Sequence, residues 1–118
     1  MGTFYWPLEV SSPDGSRWET VSALVDTGAS HTVLPASMLR RLGVVPFRTV
    51  LYRIGDGRRV EREIGETKTR VNGLQATSIV VFGDEDIPPL LGAHTLQGIL
   101  LVVDPVEERL VPTDALLL

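Results

Sequence analysis

Glycine, proline and polar turn residues punctuate this chain so often that it divides into short extended pieces, and that constrains the fold more than any other feature. Thr3 to Val10 is rich in aromatic and β-branched residues and is expected as a strand. Pro13-Asp14-Gly15 marks a turn, and Arg17 to Val25 returns, so the first 25 residues form a hairpin. Pro35 opens "PASMLRRLG", where Met38, Leu39 and Leu42 share a helical face and Gly43 stops a short helix. "TVLYRI" and "RRVEREIG" flank Gly55-Asp56-Gly57, a second hairpin with a flexible tip within Phe47 to Thr69. Two further short strands are expected around Asn72-Gly73, from Arg70 to Phe82. "GDEDIPP" is a loop, "AHTLQG" about one helical turn, "ILLVVD" a buried strand, and "ERLVP" and "ALLL" extended ends. The reading is mostly β with one or two short helices, and without repeats.

At 118 residues one domain spanning 1–118 is expected, with a thin core that a partner subunit would help to complete. The balance of 43% hydrophobic and 22% charged residues is that of a globular chain, not a disordered one. Net charge is −4 with scattered arginines, which argues against a nucleic-acid partner, since phosphate binding needs a concentrated basic face. Arg40-Arg41 and Arg58-Arg59 are too short to count as patches. With no cysteine, disulfides, thiol nucleophiles and cysteine-ligated zinc are excluded. His31 and His94 lie far apart in sequence and outside any ligand pattern, so no metal and no cofactor are expected. No signal-peptide pattern opens the chain, and its apolar runs fall short of the ~20 residues a membrane span needs. The expectation is a cytoplasmic protein without membrane partners.

The stretch that carries chemistry is "ALVDTGASHTVLP", Ala23 to Pro35. Asp-Thr-Gly alone is an ordinary turn, in which aspartate caps backbone amides. Here a buried-type strand precedes it and a second apolar run follows, so the Asp26 carboxylate is placed where it is partly desolvated. Such placement costs free energy and is a mark of functional sites.

"ALVDTGAS" resembles the active-site signature of the retropepsin-like aspartic proteases. "LLGAHTLQG", Leu90 to Gly98, resembles their second hallmark, two apolar residues and a glycine before a short helix. The Gly55-Asp56-Gly57 hairpin lies where their flap would be, "LLVVDPVEERLVP" resembles the tail of bacterial members, and the likeness runs from Trp6 to Pro112. It implies a closed β-barrel of acid-protease type, one lobe per chain. It also implies an endopeptidase that activates water between two carboxylates, with a polypeptide bound in extended form. Asp26, Thr27 and Gly28 would be catalytic, and Ala29, Ser30, Gly55, Asp56 and Gly57 would meet substrate. Asp14, Asp56, Asp84, Asp86, Asp104 and Asp114 lie in turns or polar loops without the flanking signature. A chain with one Asp-Thr-Gly supplies half a site, so the implied enzyme is a homodimer with two Asp26 residues. Apolar ends, "TFYW" and "DALLL", suit interleaving with a second copy.

Ala29 lacks the hydroxyl that Ser or Thr would offer a carboxylate, so a less strongly acidic optimum is expected. His31 is expected to hydrogen-bond its own loop, with a pH-sensing role as the sharper reading. His94 is read as a surface residue, Leu90 and Leu91 as core, and Arg58 and Arg59 as solubilising the hairpin tip. The alternative to an enzyme is a catalytically silent module of the same fold that dimerises or binds peptide.

Overall fold

A computed structural model describes residues 3–118. Met1 and Gly2, the first two residues of the expected domain, lie outside the described residues. The order is β1 (Tyr5–Ser11), β2 (Trp18–Val25), β3 (Thr32–Pro35), α1 (Ala36–Arg41), β4 (Arg48–Arg53), β5 (Arg59–Val71) and β6 (Leu74–Gly83). β7 (Leu90–Leu91), α2 (Ala93–Ile99), β8 (Leu101–Asp104) and β9 (Arg109–Pro112) follow. The architecture is mostly β, with two short helices.

Seven strands form one sheet in the order β1-β2-β7-β3-β6-β5-β4. β1 also pairs with β5, Glu9 opposite Arg70 and Val10 opposite Thr69, which closes the sheet into a ring and leaves β4 outside it. The closure covers the edge of β1 at Glu9 and Val10, while β4 keeps a free edge. Inside the ring Leu8, Val10, Ala23, Leu34, Val80 and Leu91 are almost wholly buried, and α1 adds Met38 and Leu39. Alternation along β1 and β2 delivers these residues to one face.

The turns are built as their residues require. Asp14 accepts hydrogen bonds from the Ser12 hydroxyl and from the Ser16 amide and hydroxyl. These donors lower its pKa to about 2. Gly15 and Gly43 take positive φ, the latter just past α1 as its sequence position suggests.

Two expectations need correction. The two short strands around Asn72-Gly73 are the ends of long ones: β5 has 13 residues and β6 has 10. β5 runs through Gly65, where a Cβ would stand 2.9 Å from a Val44 methyl and 3.1 Å from the Val45 carbonyl oxygen. That glycine permits close approach inside a strand and is no break. β8 is less buried than its composition suggests, since Leu101 is buried but Val102 is exposed. It pairs only with β9, in a separate two-stranded sheet. Asn72 ties that sheet to the ring, accepting from the Trp6 indole at 2.9 Å and donating to the Leu110 carbonyl at 3.3 Å.

Candidate active site

The site is made where β2 ends. The Leu24 amide donates to the Pro89 carbonyl, Val25 to Phe4 and Asp26 to Leu91, so the strand end is fixed from both sides. The chain then turns: the Ala29 amide donates to the Asp26 carbonyl, and the Gly28 amide donates to the Asp26 carboxylate at 3.0 Å. A Cβ at Gly28 would lie 3.2 Å from that carboxylate oxygen, so the glycine gives the amide its close approach. Asp26 is half-buried, and the bonds that place it come from the backbone.

The loop is seated on α2. The Ala93 and His94 amides, the first of the helix, donate to the carbonyls of Ala29 and Ser30 at 2.8 and 3.0 Å. Gly92 packs so tightly that a Cβ there would stand 2.5 Å from the His31 carbonyl carbon. Beneath it Thr32 and Thr95, both wholly buried, share a 2.6 Å hydrogen bond, and the Gly92 amide donates to the Thr32 hydroxyl. The Asp-Thr-Gly turn and the Leu-Leu-Gly turn are thus one hydrogen-bonded unit.

Asp26 faces a cleft of about 680 Å³ between this loop and the β4–β5 hairpin. Gly28, Ala29, Ser30 and His31 line one wall; Tyr52, Ile54 and Gly55 line the other, and Val33, Val81, Ile87 and Leu90 add apolar surface. Thr27 turns instead to a second, smaller groove that Asp26 and Gly28 also reach, together with Thr3, Phe4, Val25 and Val103. Of the hairpin residues singled out from sequence, Gly55 lines the cleft, while Asp56 and Gly57 lie at the tip beyond its lining. There Asp56 accepts from the Arg58 amide and guanidinium, which hold its carboxyl below the usual range.

Three readings of single residues change. Leu91 is core, but Leu90 is only half-buried and lines the cleft. His31 does not bond its own loop through its ring. Its Nδ1 lies 2.8 Å from the Tyr52 hydroxyl on β4. His94 is exposed as expected, yet its ring packs edge-on to His31 with centroids 5.4 Å apart. Burial, and then the neighbouring His94, lower the His31 pKa. Burial raises that of Tyr52, with Arg48 opposing. Tyr52 was missed from sequence; its signal was the alternation of Val50, Tyr52 and Ile54, which are half-buried between exposed Leu51 and Arg53. Among the described residues no group of three or more His, Cys, Asp or Glu could hold a metal ion.

A ring-closed sheet with one Asp-Thr-Gly turn beneath a hairpin is a single lobe of the acid-protease type. A family model described as aspartyl protease matches residues 8–95. The fold is similar to that of the simian foamy virus (mac) protease, which is 20% identical, with 79% of this chain and 91% of that one covered and a TM-score of 0.56. It is also similar to the retroviral protease-like domain of Ddi1 from Leishmania major, at 19% identity, 98% and 91% coverage and a TM-score of 0.60. No curated protein matches in sequence. The chain belongs to the aspartyl protease family, and its fold is of the retroviral-protease type.

Proposed function

We propose that this chain is a homodimeric aspartic endopeptidase, in which Asp26 of each subunit activates one water for attack on a peptide carbonyl. The observation that carries the reading is the position of Asp26 between two openings. On one side lies the cleft of about 680 Å³ between the Asp26 loop and the β4–β5 hairpin. On the other is a groove of about 260 Å³ floored by the Asp-Thr-Gly turn itself. A second copy of the turn placed at that groove would bring a second carboxylate beside the first. Two like charges at close range share a proton, as in the aspartic-protease dyads that are the type case. One Asp26 then acts as base toward the water and the other as acid toward the carbonyl oxygen. Thr27, exposed beside the groove, is the residue to meet its counterpart across the two-fold axis. Ala29 and Ser30 line the cleft for a substrate backbone, with the β4–β5 hairpin as a flap that excludes water.

Exposed apolar residues support the second subunit. Leu116, Leu117 and Leu118 are at least 89% exposed, and Phe4 and Val103 line the groove. The test pairs molecular mass in solution with cleavage of an unstructured protein substrate by the parent and by Asp26→Asn. Mass should be that of a dimer, and the substitution should lower kcat/KM at least about a hundredfold, the scale of a lost general acid or base. Cleavage that persists in Asp26→Asn removes the aspartic mechanism. A chain that is monomeric and inactive across the pH range overturns the reading altogether.

A further inference from the structure

The β4–β5 hairpin projects beyond the ring. Residues 59–63 of β5 pair only with β4, and pairing with β6 begins at Ile64. At the tip Asp56 and Arg58 bond to each other. Among the described residues, three side-chain ties run from residues 48–63 to the rest of the chain: Arg62 donates to Asp84 at 3.0 Å and Glu63 lies 3.6 Å from Arg40, both near the base of the hairpin, while Tyr52 to His31 is the tie to the Asp26 loop. It crosses the cleft, from the inward face of β4 to the loop five residues beyond Asp26.

His31 is not free to follow the hairpin. Its carbonyl packs on Gly92, and the adjacent Ser30 carbonyl accepts from the His94 amide. Its ring packs edge-on to His94 on one side and edge-on to Tyr52 on the other, with centroids 5.4 and 5.9 Å apart. Thus one end of the hydrogen bond is anchored to the tightly seated Asp26 loop, and the other to β4, which pairs with β5 alone. A hydrogen bond from a projecting hairpin to a fixed loop favours the arrangement in which the two are in contact by the free energy of that bond.

We propose that Tyr52 is a positioning residue: its hydroxyl, held by His31, latches the β4–β5 hairpin against the Asp26 loop and sets the width of the cleft. The inference rests on the protease reading only for its kinetic consequence. With the latch broken the hairpin lifts more often, a bound peptide is released more readily, and KM rises while the chemical step is preserved.

The experiment measures amide hydrogen exchange across the chain, and KM and kcat where cleavage is present, for the parent, Tyr52→Phe, His31→Ala, His31→Asn and the Tyr52→Phe/His31→Ala double variant. Tyr52→Phe removes one oxygen and keeps the ring, so the fold is retained. Exchange of amides 48–60 should accelerate about two- to tenfold, the worth of one neutral hydrogen bond, with the ring strands unchanged. KM should rise by a similar factor with kcat within about twofold. His31→Ala should match Tyr52→Phe, the double variant should be no worse than either, and His31→Asn, whose amide sits near the Nδ1 position, should recover part of the protection. Unchanged exchange in Tyr52→Phe, or fully additive effects in the double variant, overturns the latch. If even the parent cleaves nothing, the protease reading fails and the exchange measurements alone decide the latch.

Discussion

Replacing Thr32 by valine tests whether the candidate site rests on its buried hydroxyls. Valine has nearly the same shape, so no cavity forms and the strand propensity of β3 is kept. What goes is the oxygen that the Gly92 amide donates to at 3.1 Å and that shares a hydrogen bond with Thr95 at 2.6 Å. Gly92 is buried, Thr95 is 0% exposed, and neither has a second partner for these groups among the described residues. An orphaned buried amide costs about 1–3 kcal/mol, and the lost hydroxyl pair about 1 kcal/mol more. A destabilisation of about 2–4 kcal/mol follows, a large part of the 5–15 kcal/mol typical of a domain. Thr95→Val should cost less, about 1 kcal/mol, because Thr32 would still accept from Gly92. Urea unfolding at fixed protein concentration measures both, since an assembling chain has concentration-dependent stability. A loss below about 0.5 kcal/mol for Thr32→Val, or a larger loss for Thr95→Val, would refute this account of how the two turns are joined.

Gly92→Ala should be worse, because the new methyl would stand 2.5–2.9 Å from backbone atoms of His31 and Thr32, which cannot rotate away; a loss above about 3 kcal/mol, or no folded protein at all, is expected by circular dichroism. The lowered His31 pKa makes the folded state bind fewer protons than the unfolded one below the ordinary value of 6.5. Stability should therefore be complete above that pH and decline as pH falls through the lowered native value, a decline that should flatten in His31→Gln; equal slopes in the two proteins would show that another group is responsible.

Local chemistry made much of the fold readable. Asp14-Gly15 and Asn72-Gly73 sit at hairpin tips where sequence places them, and both glycines have positive φ. The Asp26 loop was readable because apolar runs on both sides of a carboxylate leave few other meanings. Long-range pairing was not readable. Closure of the ring joins Glu9 to Arg70, 61 positions apart, and no local propensity encodes that partner. Arg70 serves two sides of this closure, with Glu9 at 2.8 Å and the Trp18 ring at 3.9 Å from its guanidinium carbon. The meeting of His31 with His94 fails for the same reason, because it depends on β7 threading between β2 and β3.

The geometry also explains why the two motifs occur together. The first amides of any helix have no partner inside it, and the carbonyls of a tight turn have none inside the turn. Here each supplies the other, Ala93 and His94 donating to Ala29 and Ser30. For the helix to come this close, the residue before it must carry no side chain, which is the position of Gly92. Leu91 fixes the approach from the other direction, wholly buried and accepting from the Asp26 amide. A change at Gly92 should therefore displace the Asp26 loop although Gly92 does not line the cleft. Asp-Thr-Gly and Leu-Leu-Gly are separated by some sixty residues of sequence and act as one mechanical part.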